Sequence, residues 1–287
     1  QLDRYGEVDA VTKNWCRTLR KFPSKTSILV NGDDVNTLKL ARCFHGKIQK
    51  FGVKDFKIIG EAIENVKETE DLDFEAKDVK LNGLNGSSFL LQATGYKLLT
   101  TLSLPGVYHI YDFLASFAVG MNLGLQPKQM VFSLKDYSPA FGRVEKLPFG
   151  YIFLIKNPAG ATQVFETIAP NIKPADTLFL TLNDNLADGT DVSWIWDAEF
   201  EKLKIRSEKL RVICSGKRAE DLALRLKYAG FSVSKSDIEP DIKKALKRAR
   251  QALEGHLFIL PTYTAMLELQ SILTKAGIKK HYWKEEI

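Results

Sequence analysis

From Tyr151 to Ala276 the chain alternates short apolar runs with segments of helical period, and no other feature limits the possible fold as much. The runs Tyr151 to Ile155, Thr177 to Leu182, Leu210 to Cys214, Phe231 to Ser234 and His256 to Leu260 read as strands. The segments Ala161 to Ile168, Arg218 to Ala229, Asp241 to Leu253 and Tyr263 to Ala276 read as helices. Near-continuous apolar strands are expected where helices cover both faces of a mostly parallel sheet. Short loops between alternating strands and helices therefore predict a doubly wound α/β domain. Gly230 and Gly277 stand just past helix ends, where a left-handed residue closes a helix.

Before a boundary expected near Ser138-Pro139-Ala140-Phe141-Gly142-Arg143, the pattern differs. Thr26 to Val30 reads as a strand closed by Asn31-Gly32-Asp33-Asp34, followed by a helix from Val35 to Phe44 and a strand from Phe56 to Gly60. Residues 61 to 75 are acidic and polar and suit an exposed connection. Val79 to Leu104 alternates around Asn82-Gly83 and Asn85-Gly86, which predicts an antiparallel ribbon. Ile110 to Leu123 reads as an apolar helix stopped by Gly124, and Pro127 opens a short one. The 287 residues suffice for two domains, expected over 1–140 and 141–287.

Apolar residues make up 45% and charged residues 26%, the balance of a soluble globular chain. No apolar run approaches the ~18 residues of a membrane span, and no signal peptide is visible. The opening, Gln1-Leu2-Asp3-Arg4-Tyr5-Gly6-Glu7, reads as an internal stretch, so trimming is expected. Cys16, Cys43 and Cys214 lie far apart with no CxxC pair. No structural zinc site is expected from them, and a reducing cytoplasm fits. Much of the +6 net charge lies on Ile242 to Arg250, which reads as a solvated helix face. No aromatic platform accompanies it, so no nucleic-acid partner is expected. The basic balance also suits an anionic substrate or a membrane surface.

The candidate chemistry lies past the run Leu178-Phe179-Leu180-Thr181-Leu182. Asp188, Asp191 and Asp197 fall within ten residues of one another, beside Trp194 and Trp196. Open α/β sheets place their chemistry past the C-terminal ends of strands. An Asp-Gly turn and a helix cap would account for one aspartate. They do not account for three, nor for two tryptophans.

Seven ordered motifs resemble the MurT family, the Mur-ligase-like subunits of lipid II isoglutaminyl synthase. They are residues 1–9, Leu29-Val30-Asn31-Gly32-Asp33-Asp34, Phe141-Gly142-Arg143-Val144-Glu145, Ile155-Lys156-Asn157-Pro158-Ala159-Gly160, the aspartate–tryptophan stretch, residues 215–230 and residues 260–266. The resemblance spans nearly the whole chain. It implies the C-terminal part of a Mur ligase central domain, followed by the family's α/β C-terminal domain. It implies a cytoplasmic enzyme, peripheral to the inner membrane face, that uses ATP and Mg2+. The enzyme would amidate the D-glutamate α-carboxylate of lipid II to D-isoglutamine, through an acyl phosphate. Ammonia would come from a GatD-like glutamine amidotransferase, to whose Cys-His pair this family contributes an aspartate. A carboxylate in that place orients and stabilises the imidazolium. The alignment puts Asp197 first for this role, then Asp191 and Asp188.

The resemblance also implies nucleotide contacts at Asp112, Arg143, Lys156 and Asn157. Plainer readings stand beside them: an Arg143–Glu145 hinge pair, a turn at Lys156-Asn157, and an Asp112–His109 pair. Asp33 and Asp34 are expected to cap the next helix. Four departures from the family pattern matter. The Gly-rich phosphate loop with its Lys-Thr is not among these residues, so tight triphosphate binding by this chain alone is not expected. Cys43 stands alone where the family carries a four-cysteine zinc ribbon. His109 and Asp112 replace asparagines, and Thr162 stands where asparagine is common. Two other functions remain open, a folylpolyglutamate synthase-like ligase that adds an amino acid and a non-catalytic scaffold for a glutaminase.

Overall fold

The computed structural model describes residues 6–54, 71–137, 144–203 and 210–279. The chain divides into two units, Gln1–Ser138 and Pro139–Ile287.

The first unit contains α1 (Val8–Leu19), β1 (Ser27–Asn31), α2 (Val35–Ala41), β2 (Lys47–Val53), β3 (Phe74–Leu81), β4 (Ser87–Ala93), β5 (Tyr96–Leu102), α3 (Val107–Asn122) and α4 (Pro127–Phe132). Its sheet runs β1-β2-β3-β4-β5. The first three strands are parallel, and β3, β4 and β5 form the antiparallel ribbon that the alternation predicts. Ile110, Leu114 and Phe117 of α3 bury themselves against Val53, Phe74, Phe89 and Leu91. Gly86 is required at the ribbon turn, because its φ is 103° and a Cβ there would lie 1.9 Å from the Leu102 carbonyl.

Asp34 caps α2 by accepting from the backbone N–H groups of Asn36 and Thr37. Asp33 does something else. It is fully buried, and its Oδ2 accepts from Val53 N–H at 2.7 Å and from the Tyr111 hydroxyl at 2.9 Å. Burial, with the Asp33 carboxylate beside it, pushes the Tyr111 phenol well above its ordinary pKa. Gly52 permits this arrangement, since a Cβ there would lie 2.5 Å from Asp33 Oδ2.

Several local expectations need correction. Lys47–Val53 is a strand although its residues do not alternate cleanly, because pairing with both β1 and β3 supplies what the pattern lacks. Helix α2 ends at Ala41, not Phe44, where tight turns from Cys43 and Phe44 N–H groups close it. Strand β3 starts at Phe74, inside the stretch that reads as an exposed connection. Its Glu75 is buried and pairs with Lys77 at 3.0 Å and Lys54 at 3.7 Å. The predicted strand Phe56 to Gly60 lies outside the described residues. Cys43 does not stand alone: it is disulfide-bonded to Cys16, 27 residues earlier. Packing of α1 on α2 brings their Cα atoms to 5.4 Å, a proximity that sequence spacing does not reveal.

The second unit contains β6 (Glu145–Leu147), β7 (Gly150–Ile152), α5 (Pro158–Ile168), β8 (Thr177–Thr181), β9 (Arg211–Ser215), α6 (Ala219–Tyr228), α7 (Ile242–Gln251), β10 (Leu257–Pro261) and α8 (Tyr263–Lys275). The sheet order is β6-β7-β10-β8-β9, and all neighbours are parallel except β6 and β7. This is the mostly parallel α/β sheet that the apolar runs predict, with a short antiparallel edge added. Strands β8 and β10 are buried at every residue. Ile152, Ile259, Phe179 and Ile213 line up across the strands and pack under α7 and α8. The alternate residues, including Leu178, Val212 and Phe258, point to the other face, where α6 packs on β8 and β9.

Phe231 to Ser234 is not a strand. Phe231 N–H is consumed by the Leu226 carbonyl at the end of α6, and Ser234 N–H by the Asp237 carboxylate, so neither is left for a ladder. Further along, Ile238 makes an isolated parallel bridge to Cys214 of β9. Among the described residues no helix is long and apolar enough to cross a membrane.

Candidate functional site

Past Thr181 the chain leaves the sheet between β9 and β10. Asn183 is buried, with its N–H on Thr262 Oγ1 and its amide on Thr264 Oγ1. Asn185 also donates to Thr264 Oγ1, at 2.7 Å, and accepts from Lys217 Nζ. Asp188 completes the cluster. Its Oδ1 accepts from Thr264 N–H at 2.8 Å and its Oδ2 from the Thr264 hydroxyl at 2.5 Å. Thr264 lies in the first turn of α8, where backbone N–H groups have no partner inside the helix. Asp188 fills that need, so both of its oxygens are committed.

Asp191 is exposed and accepts from Ser193 N–H at 2.8 Å, at the start of the 3₁₀ turn Ser193–Trp196. Hydrogen bonds from Ser193 hold its carboxyl below the usual aspartate range.

Asp197 closes that turn through its backbone, with N–H donating to Trp194 carbonyl at 3.2 Å. Its side chain is exposed and receives no hydrogen bond among the described residues. Ile195, between the two tryptophans, is the core residue of the turn, 1% exposed. Trp196 is 47% exposed and meets Tyr228 of α6 edge-on at 5.3 Å. Exposed Asp197 thus directly follows, in sequence, one member of an exposed aromatic pair.

Arg225 of α6, which sequence reasoning did not single out, holds this turn in place. Its buried guanidinium donates to the carbonyls of Ile195 and Ala198 at 2.9 and 2.8 Å, and to both oxygens of Glu201. It also lies 5.6 Å from the Trp196 ring centroid and 5.2 Å from that of Phe200. The signal available in the sequence was an arginine beside the apolar stripe Leu222, Ala223 and Leu226. Thr162, at the departure from the family pattern, is buried and accepts Glu199 N–H, tying α5 to the same segment.

The other predicted positions are scattered. Asp112 is exposed on α3 in the first unit. His109, one turn earlier, is buried with Nδ1 donating to the Pro105 carbonyl at 2.8 Å. Lys156 and Asn157 are exposed at the start of α5, and Asn157 Oδ1 caps that helix by accepting Gly160 N–H. Arg143 lies outside the described residues.

Comparison with known proteins bears on the whole chain. Residues 154–266 match the family model described as MurT ligase C-terminal. The MurT subunit of lipid II isoglutaminyl synthase (glutamine-hydrolyzing) from Streptococcus pneumoniae is 30% identical over 97% of this chain and 68% of its own length. The subunit of the same name from Staphylococcus aureus strain COL is 28% identical over 96% of this chain and 68% of its own. Among solved structures, MurF from Acinetobacter baumannii shares the fold with a TM-score of 0.66 at 13% identity, over 97% of this chain and 57% of that one. Folylpolyglutamate synthase from Thermotoga maritima does so with a TM-score of 0.56 at 13% identity, over 95% of this chain and 60% of that one. This chain therefore spans about two thirds of its curated relatives and a little over half of these solved structures. With identity sustained along almost its full length and the family's own C-terminal domain inside it, the chain belongs to the MurT family of Mur-type ligases.

Proposed function

We propose that this chain is the ligase subunit of a lipid II isoglutaminyl synthase, acting at the cytoplasmic membrane face. It amidates the D-glutamate α-carboxylate of the stem peptide with ammonia released by a GatD-like glutaminase. The observation that carries this reading is the state of Asp197. Its carboxylate is exposed and uncommitted, on a turn whose backbone is anchored by the buried Arg225. Asp188 spends its two oxygens on the Thr264 backbone N–H and hydroxyl, and Asp191 accepts from the Ser193 backbone N–H, all in this same chain. A carboxylate held in place but without a partner is suited to orienting a histidine on another protein. Trp196 and Tyr228, both exposed, are the residue types that anchor interfaces.

The residues toward the nucleotide are consistent with this reading. Lys156 presents an exposed ammonium just before the N-terminus of α5, a combination suited to phosphate. Asn157 spends Oδ1 on its cap, which leaves its amide N–H2 to donate. Asp112 offers an exposed acceptor for an adenine amino group, and Arg143 would supply the second cation. Bound ATP with Mg2+ would donate its terminal phosphoryl group to the carboxylate and leave as ADP, and ammonia would form the amide by expelling that phosphate.

The test is to reconstitute the protein with its glutaminase, ATP and lipid II, comparing glutamine with ammonium salt as the nitrogen source. Asp197→Asn is expected to lose glutamine-dependent amidation and keep ammonium-dependent amidation. Amino-acid addition without any need for glutaminase would replace this reading with the folylpolyglutamate synthase-like one. Absence of product from either nitrogen source in the wild-type complex would leave only the scaffold.

A further inference from the structure

Helix α7 carries five lysines and arginines in ten residues and no carboxylate. Its apolar stripe, Ile242, Ala245, Leu246 and Ala249, is buried against the sheet. Lys243, Lys247 and Arg250 therefore form one exposed line at i, i+4 and i+7, with Lys244 beside it. Like charges at this spacing repel one another and weaken a helix. Little among the described residues offsets them. Asp241 uses one oxygen to cap the helix and stands 3.9 Å from Lys244 Nζ. The Arg250 guanidinium lies 4.6 Å over the Phe149 ring. Neither Lys243 nor Lys247 has an ion-pair partner among the described residues. The neighbouring α8 adds exposed Lys275 against one exposed carboxylate, Glu268.

The placement of this charge is as telling as its density. Helix α7 packs on the face of the sheet that holds Phe179 and Ile213. The turn Ser193–Trp196, which leads into Asp197, packs with α6 on the opposite face. A glutaminase seated over Asp197 would leave α7 open. Resting on the proposed lipid-linked substrate, we propose that the exposed face of α7 docks this protein on an anionic bilayer surface. Lys243, Lys247 and Arg250 meet the lipid phosphates there, with Lys244 at the margin. Juxtaposed cations of this kind each raise partitioning onto anionic membranes about fivefold. A nucleic-acid partner fits less well, because the one ring beside this line, Phe149, is already covered by Arg250.

The experiment is sedimentation of the full protein with phosphatidylcholine vesicles, with and without one third phosphatidylglycerol, in the absence of lipid II and glutaminase. Binding is expected only with phosphatidylglycerol, and it should weaken steeply with salt. The triple variant K243Q/K247Q/R250Q should lower partitioning about a hundredfold. The control K80Q/K97Q/K128Q removes the same charge from exposed sites in the first unit and should leave binding nearly unchanged. Absence of wild-type binding, or equal loss in both variants, overturns the proposal, as does preferential capture of a single-stranded oligoribonucleotide over the vesicles. Amidation of detergent-solubilised lipid II by the triple variant is measured in parallel and should be normal. Failed docking with normal amidation rejects only the docking face; failed wild-type amidation with normal docking rejects only the enzymatic reading.

Discussion

The loop Asn183 to Asp191 and the segment Ser193 to Phe200 are neighbours in sequence and are built on opposite plans. In the loop, side chains are consumed internally. Asp184 pairs with Arg218 at 3.3 Å, Asn185 and Asp188 bind Thr264, and Asn183 binds Thr262 and Thr264. In the segment, a buried arginine grips the backbone, while Asp197 is exposed with no hydrogen bond to its side chain among the described residues and Trp196 is half exposed. Polar groups that satisfy one another make a rigid platform. A side chain on a fixed backbone, left unsatisfied and exposed, is pre-organised for something outside the molecule.

The sharpest way to break this comparison is Asp197→Asn. Glutamine hydrolysis by the complex is expected to fall by up to ~10⁴-fold, the loss seen when a triad loses its orienting carboxylate. The melting temperature of the protein alone should not move, since no hydrogen bond within it is lost. An unchanged hydrolysis rate would remove Asp197 from the triad.

Arg225→Met tests the grip. The carbonyls of Ile195 and Ala198 lose their donor in a buried setting, which should cost about 3 kcal/mol in urea unfolding of the second unit. Hydrolysis should fall as well, because the Asp197 turn is no longer held. A variant as stable as wild type would show that the guanidinium is not the anchor.

Asp188→Ala should act on the fold alone. Losing the bonds to Thr264 N–H and Oγ1 should cost about 2 kcal/mol. Hydrolysis per folded complex should stay near normal. If it collapses while thermal unfolding is unaltered, the roles given to Asp188 and Asp197 are reversed.

The smallest effect belongs to Asp191 and is read through pH. Its folded pKa is depressed, chiefly by Ser193, so the ionised form is favoured by folding. That contribution is fully present above the unfolded aspartate value of about 3.9 and is lost as pH falls through the lower folded value. Thermal melts of wild type and Asp191→Asn should therefore differ near neutrality and converge in acid. A difference that persists unchanged into strong acid would rule out an ionic cap.

The parts legible from sequence are those in which one local property decides the outcome. Strands β8 and β10 are buried on both faces, so their apolar runs announce them whatever they pair with. Helix α7 could be read because one turn-by-turn stripe is apolar and the rest is charged. Strand β2 escaped because its identity comes from two neighbours, and the start of β3 because Glu75 is a charge buried by two lysines. Phe231 to Ser234 was misread for the opposite reason: an apolar run whose N–H groups are used locally cannot join a ladder. The Cys16–Cys43 bond depends on the packing of two helices.

The sequence by itself determined the family, the doubly wound second sheet and the Asp34 cap, and it nominated the stretch for the candidate chemistry. It left three aspartates on equal chemical terms, ordered only by alignment. The structure separated them: the tertiary fold supplies Thr264, 76 positions from Asp188, a local turn gives Asp191 the Ser193 N–H, and Asp197 is left without a donor among the described residues. It likewise joined Asp33 to Tyr111 across 78 positions and set Arg225 beneath the turn. Propensity and hydrophobic period are properties of a short window of chain. Whether a carboxylate is satisfied depends on which donors the fold brings within about 3 Å, and those arrive from anywhere in the chain.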